Sequence, residues 1–200
     1  MARKTGDNER GKLGNKILYM WNGRQCERSM PESVYNPKTE AQQAHRNAFS
    51  LISKLSSYMK DAHLVGLHFQ AVREKNSTYA IFKHQNKDCF TSDGQIDYPR
   101  VAVSYGSVPK ASITSARIDD DVLTVTFDSR YYAGDPTDEF YLFVYCPALC
   151  VGHLAAPVPR TAGAVIVQLP IDFRDHPIIL YAFFRDTKGY TSDTIYFPLE

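Results

Sequence analysis

Between residues 40 and 59 the apolar positions recur at helical spacing. Ala44, Leu51, Tyr58 and Val65 form one column, flanked by Ala48, Leu55, Ala62 and by His45, Ile52, Met59. Columns seven residues apart build one broad apolar face, which predicts an amphipathic helix. Thr39 stands as its N-cap with Gln42 at the third position beyond, the spacing of a capping box. Gly66 interrupts the pattern, and Phe69, Val72, Asn76, Tyr79 and Lys83 resume it, with Ala80 and Phe82 adding contacts, so a helical hairpin is expected. Ser77 and Thr78 weaken its second arm, because short hydroxyl side chains compete for backbone hydrogen bonds.

From residue 100 the period changes to two. Segments 101–105, 112–118, 122–127, 139–145, 164–169, 178–184 and 194–197 read as strands, with Asp119, Asp120 and Asp121 in a turn. Short strands punctuated by Gly, Pro and Asp predict an antiparallel sandwich. This portion resembles a fibronectin type III or immunoglobulin-like domain, without the Cys–Trp–Cys pattern of true immunoglobulin domains.

Ahead of the helix, segments 17–21 and 24–28 flank Asn22-Gly23, the dipeptide that most readily supplies the two positive φ angles of a type I′ turn. A β-hairpin follows. Two strands alone are marginal in water, so this hairpin must lie on something else, and Trp21, the single tryptophan, is the natural anchor. Met30-Pro31 and Asn36-Pro37 push their preceding residues into extended geometry and stiffen the connector over 29–38. The fold class expected is α+β: a basic arm with a hairpin and a Pro-stiffened connector (1–38), a helical segment (39–90) and a β-sandwich domain (91–200).

Hydrophobic residues make up 44% of the 200 positions and charged residues 22%, as in an ordinary folded domain. The net charge of +1 conceals an asymmetry. Residues 1–90 hold 15 Lys+Arg against 8 Asp+Glu, a net +7, and residues 91–200 hold 8 against 14, a net −6. Opposed halves suit contact within the chain, head-to-tail contact between copies, or two solvated surfaces of different sign. Arg3, Lys4, Arg10, Lys12, Lys16, Arg24 and Arg28 lie on or beside the hairpin, with Tyr19 and Trp21 available to stack, an arrangement that can follow a nucleic-acid backbone. Asp7, Glu9 and Glu27 dilute that patch. The start has no apolar h-region and no window approaches 18 uninterrupted apolar residues, so cytoplasmic synthesis, reduced thiols and no membrane partner are expected.

Candidate chemistry is sparse. Cys146, Cys150 and His153 could supply three zinc ligands, with a fourth from elsewhere, but no second paired motif accompanies them, and Cys146 also reads as a small apolar residue ending a buried strand. Cys89 with His84 and Cys26 with His45 sit in no recognised nucleophile turn. The acidic clusters at 119–121 and 135–139 do not follow an EF-hand spacing and read as turns. Phosphate-loop, dinucleotide, nucleophile-elbow and zinc-protease motifs are missing from the sequence, and Gly11 to Gly14 is too short to cradle a phosphate. The expectation is a protein without cofactor, metal or catalytic residues.

Trp21-Asn-Gly23, Arg28-Ser-Met-Pro31 and Asn36-Pro-Lys-Thr-Glu-Ala-Gln42, followed by Arg46 and Phe49 and preceded by Gly11 and Gly14, resemble an uncharacterised family common in Bacteroidota. Ile96-Asp-Tyr98 and Val103-Ser-Tyr-Gly-Ser107 resemble that family's lead into its sandwich, so the resemblance covers most of the chain. Being of unknown function, the family implies no catalytic residues. The helix start at 36–42 is also similar to one in some phage-encoded structural proteins. Together these readings lead to a non-enzymatic structural or interaction protein, an assembly subunit that docks through Tyr19, Met20, Trp21, Arg24 and Arg28 on a second copy or on other assembly proteins, a virion among the settings. The alternatives are a nucleic-acid binder using Arg3, Lys4, Arg10, Lys12 and Lys16, and a ligand-binding sandwich using loops at 131–135 and 189–190.

Overall fold

The computed structural model describes residues 3–5, 8–21, 23–33, 36–90, 94–110, 112–130 and 134–199. The chain divides into two compact units, Met1–Glu40 and Ala41–Glu200. The first is a four-stranded antiparallel meander of β1 (Arg3–Thr5), β2 (Asn8–Leu13), β3 (Lys16–Trp21) and β4 (Arg24–Ser29). The expected hairpin is its second half: Trp21 pairs with Arg24 across a two-residue turn in which Gly23 takes φ +76, a value that favours glycine. Asn22 lies outside the described residues. Strands β1 and β2 were not expected. Among the described residues of 10–33 none is buried on either face, so the strands there need no apolar alternation.

The second unit opens with α1 (Glu40–Tyr58), which begins directly after Thr39, followed by α2 (Lys60–Gly66), α3 (His68–Arg73) and α4 (Thr78–Gln85). Helical hydrogen bonds cross the first two breaks, from His63 N–H to Met59 O (3.1 Å) and from Ala71 N–H to Leu67 O (3.0 Å). The third break is complete. Lys75 enters the left-handed region at φ +51, Asn76 N–H reaches back to Ala71 O (2.9 Å) and Lys75 N–H to Val72 O (3.2 Å), the two bonds of a Schellman ending. Ser77 then N-caps α4, its Oγ accepting from Ala80 N–H at 3.1 Å. The single second helix expected across 69–83 is therefore two short ones, and Ser77 separates them.

The sandwich comprises β5 (Ile113–Asp119), β6 (Val122–Phe127), β7 (Glu139–Cys146), β8 (Val151–Leu154), β9 (Val158–Pro159), β10 (Ala164–Gln168), β11 (Ile178–Arg185) and β12 (Ile195–Leu199). One sheet runs β10-β6-β5 and the other β12-β11-β7-β8, with β9 also on β7. The strand expected over 101–105 does not form. Val103 N–H and Ser104 N–H both donate to Thr194 Oγ1 (2.9 Å each), and Ala102 N–H donates to Asn86 Oδ1 (2.7 Å), so side chains satisfy the backbone that a ladder would otherwise pair.

Three layers result. Tyr141, Phe143, Tyr145, Ile179, Tyr181 and Phe183 on one face of β7 and β11 pack with Ile52, Leu55, Met59, Leu67, Ile81 and Phe82 of the helices. Phe140, Leu142, Val144, Leu180 and Phe184 on the opposite face pack with Leu123, Val125, Val165 and Val167 of the second sheet. Strands covered on both sides lose their polar alternation, which is why β7 and β11 read as unbroken apolar runs. Each such side chain contributes about 1.5–3 kcal/mol on burial.

Candidate functional site

The register of the N-terminal sheet sorts its side chains by face. Lys12, Ile17 and Arg28 lie in one cross-strand row, Tyr19 beside Cys26 in the next, and Trp21 beside Arg24 in the third. Alternation along the strands places these rows on the same face. Trp21 is 65% exposed and Tyr19 40%, so both rings are open to a partner. Leu18 with Glu27, Met20 with Gln25, and Lys16 with Ser29 occupy the opposite face. There Lys16 Nζ pairs with Glu27 Oε1 at 2.8 Å, an exposed bridge worth no more than about 1 kcal/mol.

Five of the sequence candidates are thus split: Tyr19, Trp21, Arg24 and Arg28 stand together, while Met20 faces away. Of the basic set, Lys12 joins the aromatic face, Lys16 does not, and in the β1–β2 ladder Arg3 pairs with Arg10 and Lys4 with Glu9. At Gly11, with φ +118, β2 leaves the ladder with β1 and enters the one with β3. The acid Glu27, which dilutes the patch in the sequence, lies on the opposite face from Arg24, Arg28 and Lys12.

The two loops singled out on the sandwich do converge. Gly134, Asp135 and Asp138, before β7, and Asp186, Lys188 and Tyr190, after β11, line a cavity of about 380 Å³. Residues 131–133 of the first loop lie outside the described residues. Tyr190 packs its ring on Phe69, with centroids 4.1 Å apart. The carboxylates here are occupied by their own turns. Asp186 accepts from the N–H of Lys188 (2.9 Å) and of Tyr190 (2.7 Å). Asp135 accepts from the hydroxyl (2.6 Å) and N–H (2.9 Å) of Thr137, bonds that hold its carboxyl below the usual carboxylate range. Asp138 is committed to Arg160, whose guanidinium also donates to Pro109 O at 2.7 Å and lies 3.7 Å from the centre of the Phe184 ring.

The three possible zinc ligands are not brought together as a site. Cys146 is buried in the core between the sheets, whereas Cys150 and His153 are exposed. No group of three or more His, Cys, Asp or Glu that could hold a metal occurs among the described residues. Cys89 is buried and donates to Arg100 O at 3.1 Å, and burial pushes its thiol up to about 11. Among the described residues no helix is long and apolar enough to cross a membrane.

Helices on one face of two packed antiparallel sheets make this an α+β protein with a fibronectin-like sandwich. The model of a family of unknown function (DUF6266) matches residues 8–197, and the chain belongs to that family. No curated protein sequence matches it. Among solved structures it is similar to the Clostridium perfringens spore cortex lytic enzyme SleM at 17% identity and a TM-score of 0.36, over 55% of this chain and 30% of that one. It is also similar to the fn3 domain of the human collagen alpha-1(XX) chain (17% identity, TM-score 0.35, 48% of this chain and 86% of that one). A third is the rat CD45 extracellular region, domains d3-d4 (18%, 0.31, 48% and 51%). The chain therefore spans under a third of SleM, and scores this low support no statement about activity.

Proposed function

We propose that this protein is a non-catalytic interaction protein, an assembly subunit that joins a neighbouring copy, or another protein of the same assembly, through its N-terminal sheet. The observation that carries the proposal is a four-stranded sheet without a buried residue among its described positions 10–29, showing Trp21 and Tyr19 at 65% and 40% exposure on one face and Leu13 at 56% on the other. A small sheet gains its stability from a covered apolar face, so this one is suited to being covered by a partner. The net charges of opposite sign in the two halves of the chain favour head-to-tail contact between copies, and such heterologous contacts build rings or filaments. A virion or phage-derived particle is one setting for such a subunit.

Size exclusion with light scattering on the full chain, at low and high salt and with absorbance at 260 and 280 nm, is the test. A discrete nucleic-acid-free oligomer that Trp21→Ala with Tyr19→Ala converts to monomer supports the reading. A monomer at every concentration overturns it. A second reading, nucleic-acid binding, has its own support in the separation of Glu27 from the row of Arg24, Arg28, Lys12, Tyr19 and Trp21, since cations alternating with stackable rings suit a single strand. In the same experiment it predicts co-eluting nucleic acid that high salt removes.

A further inference from the structure

A second cavity, of about 330 Å³, lies between α1 and α4. Its lining is two helical stripes. His45, Ala48, Phe49 and Ile52 come from α1 at positions i, i+3, i+4 and i+7, and Ala80, Lys83, His84 and Lys87 repeat that spacing from α4 and the residues just after it. This spacing puts each set on one face of its helix. Half of the lining is apolar: Ala48, Phe49, Ile52 and Ala80. The other half is two lysines and two histidines, and among the described residues no carboxylate lines the cavity.

Lys83 holds its ammonium 4.5 Å from the centre of the Phe49 ring and 4.1 Å from that of Tyr79. Phe49 itself is 53% exposed, a large apolar ring left on the surface beneath a cation. The α4 macrodipole accounts for Lys83 and His84 in the last turn. It does not account for the apolar residues that line the same cavity, nor for Lys87, a second cation in that lining beyond the end of the helix. An anion with an apolar body answers both features: the body covers the exposed Phe49 ring, and the charge is met by the lysines of the lining.

We propose that this cavity binds a small amphipathic carboxylate, a medium-chain fatty acid being the class that fits. The volume is at the lower end of small-molecule pockets, which suits a short acyl chain. The head group is read by Lys83 and Lys87 as charge-assisted hydrogen bonds, with the carboxylate accepting. The site belongs to the second unit and stands independently of the docking role proposed for the N-terminal sheet.

Calorimetric titration of the full chain with decanoate, below its micelle concentration, tests this against decanol, which has the same chain and no charge. The expected result is saturable binding of one decanoate, with decanol weaker by about tenfold or more, the scale of one charge-assisted bond. Lys83→Met and the exposed Lys87→Met should each weaken decanoate by a similar factor while leaving circular dichroism unchanged. Lys87 lies beyond the end of α4, so its replacement keeps the test valid even where Lys83→Met disturbs packing on Phe49. Equal affinity for decanoate and decanol, no saturable binding, or binding of an acidic apolar peptide without binding of decanoate would each overturn the proposal.

Discussion

Arg160 and Asp138 face each other across 3.1 Å with side chains only 2% and 3% exposed. The pair ties the start of β7 to the segment after β9, and Arg160 N–H also donates to Asp138 O at 2.7 Å. Neither charge has water to fall back on. Asp138→Ala leaves a buried guanidinium held by Pro109 O and the Phe184 ring alone, and should lower stability by about 3–5 kcal/mol. Combining Asp138→Asn with Arg160→Met removes both charges and should recover much of that loss. Urea unfolding of the three proteins checks the ordering. A single variant as stable as the parent would show that water reaches the pair.

Buried His63 gives the fold an acid limit. Its Nε2 lies 3.0 Å from Ser56 O, which can only accept, so Nε2 carries the proton and Nδ1 is the bare nitrogen. That Nδ1 is buried without a hydrogen-bond partner, and the ring packs 5.0 Å from that of Phe82. Burial lowers the imidazole's pKa from 6.5, opposed by the Ser56 carbonyl and Asp61 and assisted by Lys60. Because the folded value lies below the unfolded one, the unfolded chain binds more protons between them. The contribution to stability is therefore complete above about pH 6.5 and is lost as pH falls towards the folded value. Unfolding free energy measured between pH 7.5 and 5 should decline, and His63→Gln should flatten that part of the profile. A variant with an unchanged slope would assign the acid limit to other groups.

What could be read from the chain alone follows from what covers each element. Strands β7 and β11 stand out as apolar runs, and Asp120 at the β5–β6 turn takes φ +55, as the Asp cluster suggested. The layer that covers their second face was not legible, since a run of Phe, Tyr and Leu looks alike whether a sheet or a helix lies against it. Val101, Ala102, Val103, Ser104 and Tyr105 alternate as a strand does, but Ala102, Val103 and Ser104 at its centre are partnered by the side chains of Asn86 and Thr194, and no local pattern announces a side chain 90 residues away. At the N-terminal sheet the residue types were visible and their grouping was not. Register, which only pairing fixes, separates Glu27 and Met20 from Trp21, Tyr19 and Arg24.

Gly66 illustrates a residue whose role is close approach. It ends α2 where the 103–104 segment crosses, and a Cβ there would lie 2.8 Å from Ser104 Cβ and nearer still to Val103 O. Thr191 Oγ1 also donates to Gly66 O at 3.0 Å, joining helix, crossing segment and sandwich. Gly66→Ala must push the backbone apart and should destabilise the second unit by about 1–3 kcal/mol, although alanine favours helix at an open position. Thermal unfolding distinguishes the two effects by sign. A raised melting temperature would mean that the crossing segment gives way without cost.

The four thiols should divide into two classes by reactivity with a disulfide reagent near pH 8. Attack requires a thiolate with access. Cys89 has neither, being 4% exposed with its pKa at about 11, and Cys146 is fully enclosed between the sheets. Cys150 is exposed in the β7–β8 turn, and Cys26 is half-buried in β4 beside Tyr19. Native protein should release two equivalents and denatured protein four. The slower of the two native reactions reports on the sheet: docking of a partner over Tyr19 and Trp21 covers Cys26 and leaves Cys150 untouched. Protection of one thiol in the oligomeric fraction and not in the monomer would place the contact on that face. Equal rates in both fractions would place it elsewhere.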